Sequence, residues 1–111
     1  MTRDALHLLP PGFQAGTERQ YCPECAEIWG LLGYYPALRE TLRIVHEGLS
    51  HPRSGLVAAL GVGTWNCPTL VLHGESPDGP GVSLASGTRY VGNARDIAQY
   101  WSAVHGTALP R

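Results

Sequence analysis

Tyr21-Cys22-Pro23-Glu24-Cys25 decides how this chain reads: it lies between an apolar run, Ala5-Leu6-His7-Leu8-Leu9, and a helical pattern at Ile28, Leu31, Leu32 and Tyr35. The apolar run predicts a short, largely buried strand ended by Pro10-Pro11, with a loop from Pro11 to Gln20 after it. Tyr21-Cys22-Pro23 then opens a helix, because proline suits the first helical position and Glu24 and Glu27 suit the positive end of the helix dipole. Gly33 and Pro36 close it. The cysteine pair therefore falls at a strand-to-helix junction. A thiol there faces backbone N–H groups that have no partner inside the helix, and these support a thiolate. A cysteine three residues on lies one helical turn away, within reach of a disulfide. Cys22 can then attack a disulfide, and Cys25 can resolve the mixed disulfide that forms. Cys25 sits one turn inside and is expected to be the more buried, which leaves Cys22 the more reactive thiol.

Outward from this stretch, Leu42 to His46 alternates weakly and is expected to be a second strand. Ser50 and Pro52 offer a start for a short helix that ends in Leu56-Val57-Ala58-Ala59-Leu60 before Gly61. Thr69-Leu70-Val71-Leu72-His73 is the clearest strand and begins directly after Pro68. Gly74 to Gly81 contains Pro77-Asp78-Gly79-Pro80, a strong turn signal, and one weak strand is expected between Val82 and Val91. Asn93 should cap a last helix with Ile97, Trp101 and Val104 on its apolar face and Gly106 at its end. The order is β-α-β-α-β-β-α, an α/β pattern. Its strand–helix–strand opening implies a parallel pair, and its second half a hairpin and a closing helix.

The composition narrows the function. The chain has 111 residues, 43% of them apolar, which fits one domain spanning residues 1–111. Eight basic residues face nine acidic ones, for a net charge of −1, and no run of like charge exists. Neither the basic face of a nucleic-acid binder nor the Lys/Arg cluster of a membrane binder is present, so neither partner is expected. All eight basic residues are arginine, which excludes Schiff-base and P-loop lysine chemistry; Gly61-Val62-Gly63-Thr64 is a turn. No segment approaches the ~20 apolar residues of a membrane span. The start, Met1-Thr2-Arg3-Asp4, carries an acid, and Ala5 to Leu9 is too short for a signal-peptide core. The protein is expected in the cytoplasm, where thiols stay reduced, so its three cysteines point to chemistry, metal or packing. His7 and His73 sit in apolar strand contexts that suit hydrogen-bonded core residues, and His105 suits a helix C-terminus.

A second cysteine motif, Asn66-Cys67-Pro68-Thr69, stands immediately before the Thr69 strand. Together with Cys22-Pro23-Glu24-Cys25 and the order of elements, it resembles the thioredoxin fold. Cys-Pro-x-Cys is similar to the glutaredoxin motif, and Gly92-Asn93-Ala94-Arg95-Asp96 resembles the glycine-rich turn with which glutaredoxins hold glutathione. The whole chain resembles a family of short bacterial thioredoxin-like proteins of undefined function, which combine an N-terminal strand, Tyr/Phe-Cys-Pro-x-Cys and a later Cys-Pro. The resemblance implies a single thioredoxin-like α/β domain with a central mixed sheet flanked by helices. It implies a cis Cys67–Pro68 bond facing the C-x-x-C, with Pro23, Cys67, Pro68 and Thr69 contacting substrate. It further implies a thiol–disulfide oxidoreductase with Cys22 as nucleophile and Cys25 as resolving thiol. A redox-active disulfide would stand in place of a bound cofactor, and the partner would be a disulfide-containing protein or a low-molecular-weight thiol. Two other readings stay open: a metal or iron–sulfur protein with Cys22, Cys25 and Cys67 as ligands, and a non-catalytic interaction module. In either active reading the Cys67 side chain lies at or beside the Cys22 site. Glu24, a carboxylate between two thiols, is expected to oppose the helix dipole.

Overall fold

Five consecutive buried residues, Asp4–Leu8, form β1 and place the middle of the sheet. A computed structural model describes residues 3–111; Met1 and Thr2, part of the start read above, lie outside the described residues. The strand runs Asp4–Leu8 rather than Ala5–Leu9, and it is flanked on both edges. It pairs in parallel with β4 (Leu42–His46) and antiparallel with β5 (Thr69–Val71). The sheet order is β4-β1-β5-β7-β6, where β6 is Ser83–Ala85 and β7 is Thr88–Val91. This is the expected mixed central sheet, flanked by α1 (Pro23–Tyr34), α2 (Pro36–Arg39), α3 (Ser54–Leu60) and α4 (Ala94–His105). The radius of gyration, 13.6 Å, matches the ~13 Å of a single domain of about 100 residues. No helix among the described residues is long and apolar enough to cross a membrane.

Because alternate residues of a strand face opposite sides, Leu6 and Leu8 enter one layer of the core and His7 the other. On the His7 side the ring lies against Gly55 in the first turn of α3. The rest of the core is built by Ile28 and Leu32 of α1, Leu56 and Leu60 of α3, Leu70 and Val91 of the sheet, and Ile97, Tyr100 and Trp101 of α4. Helix α4 follows its sequence signals closely. The Asn93 side chain accepts from the Asp96 N–H at 2.9 Å, and Gly106 ends the helix at φ 77°. A left-handed C-cap of this kind favours glycine.

The expected loop from Pro11 to Gln20 is instead a separate two-stranded hairpin, β2 (Phe13–Ala15) and β3 (Glu18–Gln20). Gly16, at φ 63°, makes its tight two-residue turn possible. The single strand expected between Val82 and Val91 is likewise two strands, divided by Ser86-Gly87 with φ 50° and 77°. Two positive φ values in a two-residue connection are the signature of a type I′ turn. The first helix ends where expected, but Pro36, expected only as a stop, starts α2. The Ser50-Pro52 start gives way to Arg53, which stands at the N-cap of α3 without a side-chain cap bond. The strand expected to reach His73 leaves the ladder after Val71.

Beneath the sheet, His7 Nδ1 and Glu47 Oε2 are 2.6 Å apart, and the Gly55 N–H donates to Glu47 Oε1 at 3.2 Å. Burial holds the His7 pKa below 6.5, outweighing the upward pull of its hydrogen bond to Glu47. The folded protein therefore binds fewer protons than the unfolded chain from pH 6.5 downward, and stability falls with pH in that window. Thermal unfolding of the wild type should lose stability between about pH 7 and pH 5, and His7→Gln, which cannot titrate, should flatten the slope. Gly55 is needed for a steric reason: an added Cβ would overlap the Glu47 carboxylate. Gly55→Ala should therefore cost about 1–3 kcal/mol in chemical denaturation, although alanine is the better helix former.

Candidate functional site

Cys22 is the N-cap residue of α1. Its backbone is extended, at φ −82° and ψ 114°, and its sulfur accepts the Cys25 N–H at 3.2 Å. The thiol thus takes the place that a serine or aspartate side chain fills in most helices. Pro23 follows at the first helical position, where its missing N–H leaves no donor unpaired. Cys22 is partly exposed while Cys25, one turn in, is 3% exposed, as the helical placement of the motif required. The two residues approach to 2.8 Å as free thiols. Burial pushes the Cys25 thiol far above its usual range; the hydrogen bond to Cys22 adds to this, and a Leu9 backbone contact opposes it.

The Cys67–Pro68 bond is cis and lies beside this helix start. The Cys22 thiol donates to the Cys67 carbonyl oxygen at 3.6 Å, so the second motif meets the first through its backbone. Burial pushes the Cys67 thiol up to about 11, against the downward pull of Arg53, with Glu47 and Cys22 adding to the rise. The three thiols stand near enough to feel one another's charge. Among the described residues, however, no group of three His, Cys, Asp or Glu side chains is arranged to hold a metal ion. The ligand set Cys22, Cys25 and Cys67 is therefore not assembled: Cys67 offers Cys22 its carbonyl, and its own thiol is buried.

Arg53 holds the Cys67 loop in place. Its guanidinium donates to Gly48 O at 3.2 Å, Leu49 O at 2.9 Å and Trp65 O at 3.0 Å, tying the start of α3 to the residues just before Cys67. Trp65 is half-buried; its Nε1 donates to Gly61 O and its ring meets Tyr90 edge-on at 5.4 Å. Of the residues expected to contact substrate, Pro23 is exposed, whereas Cys67, Pro68 and Thr69 are buried. The Thr69 hydroxyl donates to the Asn66 carbonyl within the loop. Glu24, expected to act on the thiols, instead accepts the Ala94 N–H at 3.2 Å and joins the start of α1 to the start of α4. Its partner belongs to the Gly92-Asn93-Ala94 turn noted above, so the chain's own carboxylate takes a donor there.

A cavity of about 330 Å³ opens beside the cysteines, between Pro10-Pro11 and α1, and both Cys22 and Cys25 reach it. A larger one, about 450 Å³, lies between α1, α4 and the C-terminal residues, away from the thiols. Sequence reasoning missed the first cavity and the roles of Arg53 and Glu47. The double proline after the first strand was the available sign of the cavity's wall.

At about pH 8 iodoacetamide should label Cys22 first, because it is the partly exposed thiol, while burial holds Cys67 near 11 and leaves little of it as thiolate. Peptide mass mapping checks this, and preferential labelling of Cys25 would reverse the assignment. Arg53→Met removes three hydrogen bonds to backbone carbonyls and should lower stability by about 2 kcal/mol. Arg53→Lys should recover only part of this, since one ammonium group does not span three carbonyls; urea unfolding measures both.

No curated protein and no solved structure matches the chain. The family described as "Protein of unknown function (DUF3088)" matches residues 3–109, nearly the whole length. The cysteine pair, the Cys67–Pro68 loop and the Arg53 tie all fall inside that match, and the chain belongs to this family.

Proposed function

We propose that this protein is a cytoplasmic thiol–disulfide oxidoreductase of thioredoxin-like fold, related to short bacterial proteins of that kind. The observation that carries the reading is Cys22 as the N-cap of α1, partly exposed, with a backbone N–H on its sulfur and the buried Cys25 one turn behind. Such a pair suits a two-step exchange. The Cys22 thiolate attacks one sulfur of a disulfide, a Cys22–substrate disulfide forms, and the other half leaves as a thiolate that takes up a proton. Cys25 then gives up its proton, attacks the Cys22 sulfur and expels the second half as a thiolate. One substrate disulfide is reduced to two thiols, and the Cys22–Cys25 pair is oxidised by two electrons. Two low-molecular-weight thiols, or a protein dithiol, return the pair to its reduced form and are themselves joined as a disulfide. The high thiol pKa of Cys25 suits a resolving role, since it discourages attack by Cys25 on substrate before the mixed disulfide exists.

Reduction of a small disulfide, with a dithiol as electron source, tests the reading. Wild type should turn over, and Cys22→Ser should lose all activity. Cys25→Ser should stop after one attack and carry the substrate half as an added mass on Cys22. Absence of turnover by wild type with both small and protein disulfides would sink the proposal.

A further inference from the structure

The cavity beside Cys22, about 330 Å³, lies near the lower end of ligand pockets, roughly 300–1,000 Å³. Its deep end is Leu9 and Cys25, 5% and 3% exposed, and its rim is Tyr21, 64% exposed. Ala26 and Trp29 line the α1 side, with the Arg39 guanidinium 5.5 Å from the centre of the Trp29 ring. No arginine, histidine, aspartate or glutamate lines it. A charged group entering would shed water and meet no charged side chain in the lining, a cost that these walls do not offset. An uncharged hydrocarbon group would gain from the same walls. Because Cys22 borders the cavity, a substituent close to the sulfur under attack falls inside it.

We propose that this cavity is a subsite for an uncharged aliphatic or aromatic group next to the reacting sulfur, so that the substrates are apolar disulfides of low molecular weight; this rests on the thiol–disulfide reading above. The volume suits one ring or branched chain, which favours a small molecule over an extended peptide or a thiol with several charges.

Two measurements separate this inference from the reading it rests on. The first is alkylation of Cys22 by N-phenyliodoacetamide and by iodoacetamide, each rate divided by that for free cysteine, which needs no redox turnover. The phenyl reagent should be favoured by about tenfold, the scale expected when a ring is largely buried. Ala26→Phe, a substitution at an exposed helical position, should fill the cavity and abolish the preference. Ala26→Asp, which places a carboxylate in it, should do the same. The second is reduction of neutral dithiodipyridine against dianionic dithiobis-nitrobenzoate, normalised in the same way, where the neutral disulfide should win by a similar factor. Equal normalised rates in wild type, or a preference that survives both variants, would overturn the subsite. So would a preference seen only with a disulfide-linked peptide bearing leucine beside its cysteine. A phenyl preference in alkylation with no turnover of any disulfide would leave the subsite standing and remove the oxidoreductase reading instead.

Discussion

One buried guanidinium fixes the geometry on which the cysteine site depends. Arg53 is 8% exposed and donates to three carbonyls, two from the loop after β4 and one from the residue two before Cys67. Without it, nothing in that set of bonds would tie the loop after β4 to the loop before Cys67. With it, the Cys67 carbonyl is held where the Cys22 thiol meets it. Only a planar fork with donors on three nitrogens serves three separated acceptors at once.

A buried cation needs compensation, and the His7–Glu47 pair lies in the same layer. Glu47 engages both of its oxygens, one with His7 and one with the Gly55 N–H. A charge removed from water is tolerated when its hydrogen-bonding capacity is filled, and it adds little stability of its own. The network is better understood as a device for placing loops. It selects one arrangement of the β4–α3 connection and one approach of the Cys67 loop to α1, while the stabilising energy comes from the apolar core.

The elements legible in the sequence are those whose signals are local. Pro23 at the start of α1 and Asn93 with Asp96 at the start of α4 each act within one turn. The apolar run at Ala5 to Leu9 marked the central strand to within one residue. The β2–β3 hairpin and the division of the Val82 to Val91 stretch into β6 and β7 escaped notice. Their strands are three or four residues long and partly exposed, so no apolar alternation marks them, although Gly16 and Ser86-Gly87 carried the turn chemistry. At the site, the exposure difference between Cys22 and Cys25 followed from helix geometry. Arg53 and Glu47 did not follow from anything local. Their partners include residues 12 and 40 positions away, and a solitary arginine or glutamate in a polar stretch has the same sequence signature whether it is buried or solvated. Glu24 shows the same limit, since its partner Ala94 is 70 residues distant.

The Glu24–Ala94 bond puts the seat of α4 inside the cysteine motif. Glu24 stands between the two cysteines in the chain, and its carboxylate satisfies a donor at the start of α4. A replacement without an acceptor oxygen would free an N–H at a helix terminus that joins the core through Ala94 and Ile97. In a chain without this tie the residues between two cysteines can vary while the helices stay put. Here a residue inside the motif also seats α4, so a side chain at position 24 that cannot accept a hydrogen bond disturbs a second helix 70 residues away.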